Sequence, residues 1–567
     1  MKPIRIFLVI SILVQLSCNT QKPVVGGKEI NPFQYSINKT VEARNGAVVS
    51  AHPLASLVGL EILKKGGNAI DASIATQLAL AVVYPGAGNI GGGGFMVATL
   101  SNGKNITLDY REKAPGKAHR DMYLDEKGDP KTELSLNGHL AAGVPGTIAG
   151  LFTAHQFAKL PFKVLIQPAI DLAENGFVLT ESEARSLNYT KNEFIKLNTI
   201  SPVFVKPTPW KAGDTLIQKD LAKTLTRIRD NGQKGFYEGE TARLIMEEMQ
   251  RGNGIISLED LKNYEAKLRE PVVFDYKGFS IVTMPLPSSG GILLPQMMKM
   301  IQDKPIKEYG FQSTKAVQLM IEVERRAYAD RAKYLGDVDF FKVPVKKLIS
   351  DEYAKERMKD YDATKAGTSK DVQAGIIGES EETTHLSIYD NEGNAVAVTT
   401  TLNGGYGSRT VVGGAGFLLN NEMDDFSVKP GVPNMYGAVG ADANAVAPGK
   451  RMLSSMTPTI VLKNNKPYLV VGTPGGTTIT TSVFQTLVNV LEFDMNPFDA
   501  VNKPKFHHQW LPDLIFIETG FPANVRADLE KMGYKISQRG QIGRTELIRI
   551  LSDGKIEAVA DGRGDDS

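Results

Sequence analysis

Glu381-Glu382-Thr383-Thr384-His385-Leu386-Ser387-Ile388-Tyr389-Asp390 closes a loop rich in charge, Gly and Ser (370–382) and opens an alternating strand. His385, Ser387 and Tyr389 fall on one face, Leu386 and Ile388 on the other. A turn at Asn391-Glu392-Gly393-Asn394 leads into a second strand, Ala395–Thr401, and Asn403 sits two residues beyond it. A hydroxyl at the start of a hairpin, faced by polar groups at the end of the partner strand, suits a threonine nucleophile whose base is its own α-amine. A threonine hydroxyl attacks poorly unless a nearby group takes its proton. An α-amine titrates at about 7.7–8.0, so near neutral pH part of it is free base. Thr383 has such an amine only if the chain is cut after Glu382. The same hydroxyl can make the cut by attacking the Glu382 carbonyl, giving an ester that water opens.

Working outward, the pattern before this hairpin is rich in helices. Apolar spacing predicts them at Pro53–Lys65, Ala69–Val83, Gly146–Ala158, Lys163–Asn175, Ser182–Leu197, Lys219–Asn231, Glu240–Arg251 and Thr314–Tyr334. Asn105–Asp109 and Val272–Met284 read as strands. After Thr383 strands are expected at Thr384–Tyr389, Ala395–Thr401, Thr459–Lys463 and Tyr468–Val471, and a helix near Thr480–Glu492. The hairpin alone cannot bury both faces, so the pieces flanking residue 382 are expected to share one core.

The length allows two to four ordinary domains, and 42% apolar residues suffice for a large core. A formal charge of +2, with no long run of Lys and Arg, argues against a nucleic-acid partner. Residues 1–17 read as a targeting segment. Lys2 and Arg5 precede an apolar run, Ile6 to Val14, that is too short to span a membrane. Cys18 is the only cysteine, so no intramolecular disulfide can form. Its place after Leu16-Ser17 resembles a bacterial lipoprotein cleavage site, from which Gln15 departs; the other reading is an ordinary secretory signal with an incidental cysteine. Either way export is expected, to the periplasm or a membrane surface, with residues 18–31 as a tether.

Five further motifs follow in order. They are Thr383-Thr384-His385-Leu386-Ser387, Thr401-Leu402-Asn403, Asn420-Asn421-Glu422-Met423-Asp424-Asp425-Phe426, Leu453-Ser454-Ser455-Met456-Thr457-Pro458 and Gly472-Thr473-Pro474-Gly475-Gly476. Upstream, Arg111 stands in Leu108-Asp109-Tyr110-Arg111-Glu112-Lys113-Ala114-Pro115. Together these resemble the γ-glutamyltranspeptidases (glutathione hydrolases), from about residue 30 to the C-terminus.

The resemblance implies an N-terminal-nucleophile hydrolase αββα sandwich, α/β in class. It is built from a large subunit, 32–382, and a small subunit, 383–567, cut from one precursor at Glu382–Thr383. Thr383 is then the nucleophile and Thr401 its hydrogen-bonding partner. Arg111 grips the α-carboxylate of a γ-glutamyl group, since a planar guanidinium holds a carboxylate through two parallel bonds; left to itself it reads as a surface ion pair with Glu112 or Asp109. Ser454 and Ser455 add hydroxyl donors. Asn403, Glu422 and Asp425 surround the α-ammonium, and Asp424 is structural. The N–H groups of Gly475 and Gly476 form an oxyanion hole. Pro430-Gly431-Val432-Pro433-Asn434-Met435-Tyr436-Gly437 resembles a lid, with Tyr436 closing over the pocket. Partners implied are glutathione, other γ-glutamyl compounds and amino acid or peptide acceptors; no metal or organic cofactor is required. The rivals are an acylase of the same fold acting on a cephalosporin side chain or poly-γ-glutamate, and a lipid-anchored binding protein without the reaction.

Three other features are discounted. Gly86-Ala87-Gly88-Asn89-Ile90-Gly91 fits a dinucleotide fingerprint, but it follows a helix and precedes a strand, the reverse of what that site needs. His507-His508 has no third ligand at metal spacing and reads as packing beside Phe506 and Trp510. Arg563-Gly564-Asp565 reads as a polar tail.

Overall fold

The computed structural model describes residues 30–369 and 383–567. The 1–17 segment, Cys18, nearly all of the 18–31 tether and Glu382 lie outside the described residues.

Two antiparallel sheets face each other, with helices outside both. In the six-stranded sheet the order is Gly46–Ser50, Thr383–Asp390, Ala395–Thr401, Gly93–Thr99, Asn105–Asp109, Lys267–Arg269. In the seven-stranded sheet it is Thr40–Ala43, Ile556–Val559, Glu546–Ile550, Lys466–Gly472, Thr459–Lys463, Phe279–Thr283, Val272–Tyr276. Each sheet mixes strands from before residue 369 with strands from after residue 383.

Period-2 alternation divides the side chains between two cores. Ala395 and Ala397 join Phe95 and Val97 in facing Val282, Ile460, Val470 and Ile548 across the gap between the sheets. Leu386, Ile388, Val396 and Val398 point the other way and pack beneath helices Pro53–Lys64 and Ala69–Val83. Polar residues on the inner face of strand Thr383–Asp390 pair locally. His385 bonds Thr399 Oγ1 at 2.9 Å and Ser387 Oγ at 3.1 Å. This is the αββα sandwich that the sequence implied.

Capping chemistry fixes how the helices meet the sheet. Asn68 and Asp71 form a capping box at the start of Ala69–Val83, whose residues are all buried. Asp390, at the end of strand Thr383–Asp390, accepts the Ala69 N–H at 2.8 Å, which fastens that helix to the hairpin.

Two expectations need correcting. Val272–Met284 is not one strand but the hairpin Val272–Tyr276 and Phe279–Thr283. Lys277 and Gly278 both have positive φ, 45° and 86°, so a two-residue turn with primed geometry reverses the chain inside what read as a single apolar run. The C-terminal residues are not a loose tail either. Arg563 is ion-paired with Glu518 and Asp561, Asp566 is buried against Arg544, and Ser567 exchanges backbone hydrogen bonds with Ser50 at 2.9 and 3.0 Å. Their charge is consumed by buried partners, which composition alone does not reveal.

Candidate active site

Register places the chemistry. Thr383 lies opposite Thr401 in the hairpin, and Thr401 lies opposite Gly93 on the next strand. The Thr383 and Thr401 Oγ1 atoms are 3.4 Å apart. Thr401 Oγ1 also accepts the Asn403 N–H at 2.7 Å. That bond needs the chain to double back after the strand, and Asn403 does so at φ 74°, a conformation that asparagine tolerates better than most side chains. The Asn403 side chain is held in turn by Asn421, whose carbonyl accepts from Nδ2 at 3.0 Å.

Arg111 follows the strand Asn105–Asp109 and is buried. Asp109 Oδ1 accepts its backbone N–H at 3.0 Å, and Tyr264 donates to its carbonyl at 2.7 Å. Its guanidinium pairs with Glu422 Oε2 at 2.8 Å and with Asp425. Glu112 is a more distant partner at 3.7 Å, so the exposed pair that Arg111 alone suggested is absent here. Burial opposes the charge on Arg111, but Glu422, Asp425 and Glu112 outweigh it and hold its pKa above the ordinary value. The same burial pushes the Glu422 and Asp425 carboxyls up, against the pull of Arg111. Glu112 rises to about 8 for that reason. Apart from Arg111 and Thr401, no partner of the Glu422 carboxylate is found among the described residues, which leaves acceptor capacity for a cationic group.

Ser454 and Ser455 lie beside this cluster. The Ser454 carbonyl accepts from Ser289 N at 2.7 Å and Ser289 Oγ at 2.8 Å, and the Ser455 carbonyl accepts from Thr457 Oγ1 at 2.8 Å. With both carbonyls tied down, the two side chains are presented to the pocket. Gly475 and Gly476 turn the chain between strand Lys466–Gly472 and helix Thr478–Leu491, at φ 135° and 53°. A side chain on Gly476 would strike the ring of Tyr436, and one on Gly475 would strike Thr478 Oγ1. Among the described residues their N–H groups donate to no protein acceptor.

Tyr436 lines the pocket. Its hydroxyl donates to the Asn403 carbonyl at 2.5 Å, and Gln509 Nε2 donates to its carbonyl at 3.0 Å. Asp424 anchors the start of this segment by accepting from Met435 N at 2.9 Å and Ser135 Oγ at 2.7 Å, the structural part expected of it.

One small pocket thus gathers Thr383, Thr401, Asn403, Arg111, Glu422, Asp425, Ser454, Ser455, Tyr436 and Gly476, with Gly475 adjoining. Sequence reasoning missed Arg331 and Asn434 in its wall. Asn434 Nδ2 donates to Asp425 Oδ1 at 3.0 Å. Arg331 belongs to helix Thr314–Tyr334, which also buries Arg325 and Arg326, so no sequence signal singles it out. The remaining features stay outside the pocket. His507 packs with Tyr328 and Phe516, His508 Nδ1 accepts from Trp510 N at 3.1 Å, and no metal-binding group of His, Cys, Asp and Glu is found among the described residues. Among them, too, no helix is long and apolar enough to cross a membrane.

Comparison with known proteins gives the family. The family model described as gamma-glutamyltranspeptidase matches residues 55–567. A glutathione hydrolase proenzyme of Escherichia coli (strain K12) is 46% identical over 544 residues, covering 94% of each chain. The crystal structure of cephalosporin acylase from Bacillus halodurans superposes with a TM-score of 0.83 at 26% identity, covering 94% of this chain and 97% of that one. Helicobacter pylori gamma-glutamyltranspeptidase superposes with a TM-score of 0.57 at 44% identity, covering 58% of this chain and 96% of its own. With a family match across most of its length and relatives this similar, the chain belongs to the gamma-glutamyltranspeptidase family.

Proposed function

We propose that this chain is a glutathione hydrolase and γ-glutamyltransferase whose nucleophile is Thr383, freed by cleavage of the Glu382–Thr383 bond into a large and a small subunit. The observation that carries the reading is Thr383 Oγ1, 3.4 Å from Thr401 Oγ1, in one pocket with Arg111, Glu422 and Asp425. A glutamyl head group is a zwitterion. Its carboxylate binds Arg111, Ser454 and Ser455, and its ammonium binds Glu422, Asp425 and Asn403. The buried pairs of Arg111 with Glu422 and Asp425 thus give way to pairs with the carboxylate and the ammonium of the substrate.

The Thr383 hydroxyl attacks the γ-carbonyl carbon and its proton passes to the α-amine. The N–H groups of Gly475 and Gly476 donate to the oxyanion as the tetrahedral centre forms. The C–N bond breaks, the amine returns the proton to the leaving nitrogen, and a γ-glutamyl ester remains on Thr383. Water releases glutamate, or the amine of an amino acid or peptide takes the acyl group.

The fold likeness to a cephalosporin acylase keeps a second amide substrate in view. Arg111, Ser454, Ser455 and Asp425 in one pocket favour a free glutamyl head instead. Tyr436 seated against Gly476 argues against a long polymer, and a chain that only binds would remain a single band on a denaturing gel. Export, by residues 1–17 with or without acylation at Cys18, belongs to the same proposal.

Intact-mass analysis after incubation with a γ-glutamyl anilide tests it. Two fragments divided at Glu382–Thr383, the smaller carrying a γ-glutamyl adduct, are expected. A single uncut chain that forms no adduct would overturn the reading.

A further inference from the structure

Helix Thr314–Tyr334 carries three largely buried arginines near its C-terminal half. Arg325 is ion-paired with Asp513 and Glu322, and Arg326 with Glu322 and Asp360. Arg331 has no carboxylate within 4 Å among the described residues. Its Nε donates to Ser289 Oγ at 3.3 Å and its Nη2 to Ser455 Oγ at 3.4 Å, both long bonds to neutral hydroxyls. Yet it is only 7% exposed and lines the pocket that holds Thr383. A buried guanidinium with no contacting anion is costly, and the charge of Arg331 is offset only at longer range, by Asp425.

We propose that Arg331 is a specificity-determining residue for the α-carboxylate of the substrate. This rests on the glutamyl reading above. Two features of the geometry lead to it. Arg331 occupies an acceptor lone pair of the Ser455 hydroxyl, which turns the hydroxyl's own proton toward a ligand carboxylate. Its charge also balances the pocket: Glu422 and Asp425 are two anions and Arg111 alone is one cation, so without Arg331 the site would favour a plain amine over a zwitterion. Burial depresses the pKa of Arg331 and the nearby Arg111 adds to the shift, while Tyr328 and Asp425 oppose it.

The test compares two anilides, γ-glutamyl and 4-aminobutyryl, which differ only in the α-carboxylate. For the wild type, Arg331→Gln and Arg331→Lys, kcat and KM are measured on both; where the second turns over too slowly, its competitive inhibition constant is used. Arg331→Gln is expected to lower kcat/KM on the γ-glutamyl anilide roughly 10- to 150-fold, mainly through KM, and to leave the 4-aminobutyryl value within about twofold. Arg331→Lys keeps the charge but loses the fork, and should fall between. If Arg331→Gln is not recovered folded, the ratio in Arg331→Lys decides in its place. An unchanged preference for the γ-glutamyl anilide, or equal losses on both anilides, would overturn the proposal. A cleaved wild type inactive on the γ-glutamyl anilide would instead sink the glutamyl reading itself.

Discussion

The Tyr436 hydroxyl donates to the carbonyl of Asn403 at 2.5 Å, so this wall of the pocket is tied to the turn that holds Thr401. The bond spans lid and floor. Tyr436→Phe keeps the ring against Gly476 and removes only this tie. A neutral hydrogen bond contributes about 0.5–1.5 kcal/mol, so KM for a γ-glutamyl anilide should rise about 2- to 13-fold. Steady-state kinetics at saturating and limiting substrate check it, and an unchanged KM would show that packing alone holds the lid.

Maturation should depend on the hydroxyl that performs turnover. Thr383→Ala is expected to remain one chain on a denaturing gel, and Thr383→Ser to divide slowly. Efficient cutting of purified Thr383→Ala at the Glu382–Thr383 bond would assign the cleavage to another group.

Arg111→Lys retains positive charge and loses the planar fork. A charge-assisted pair contributes on the order of 1.5–3 kcal/mol, so KM should rise about 10- to 150-fold. The structure adds a second consequence. Glu422 and Asp425 would lose a close partner, so the melting temperature should fall as well. Kinetics together with calorimetry separate the two effects, and wild-type kinetics in Arg111→Lys would remove this arginine from the site.

Acid should destabilise the fold through its buried histidines. Burial pushes His385 and His507 down to about 3 and His508 to about 4, the last against the pull of Asp513. Each folded value lies below the unfolded one, so between about pH 6.5 and 4 the unfolded chain binds more protons and stability falls as pH falls. Each histidine contributes up to about 1.4 kcal/mol per pH unit in that window. Calorimetric scans from pH 7 to 4 should show this slope, and His385→Gln should remove one share of it. A flat melting temperature across the window would contradict the assignment.

Cell fractionation addresses Cys18. If the cysteine is acylated, wild type pellets with membranes and Cys18→Ala is released to the soluble fraction, since several acyl chains at one residue anchor stably. Equal membrane binding in both, or a wholly soluble wild type, would leave residues 1–17 as an export signal only.

Much of this was legible in the sequence where a short-range pattern carries the information. The Thr383–Thr401 hairpin shows its alternation, its turn and its polar end within twenty residues. Val272–Met284 misled because an apolar run hides a turn made by Lys277-Gly278, where the decisive signal is a backbone angle rather than hydrophobicity. Arg563 and Asp565 read as a polar tail because their partners, Glu518 and Thr180, lie far away in sequence and only the fold brings them together. Arg331 was passed over for the same reason. Its helix was read from apolar spacing, but nothing local distinguishes an arginine that meets Ser455 from one that meets solvent.

The mixing of strands in both sheets bears on how the molecule could be assembled from parts. Thr383–Asp390 is bonded on one side to Gly46–Ser50, and its hairpin partner Ala395–Thr401 to Gly93–Thr99. Neither stretch of chain closes a sheet alone, so each acts as the folding template of the other. Fragments ending and starting at the 382–383 junction, made separately, should be insoluble or unfolded, and should regain structure only when refolded together. Complementation of that kind would make the linking peptide a dispensable scaffold, needed to bring the halves into register once and expendable thereafter.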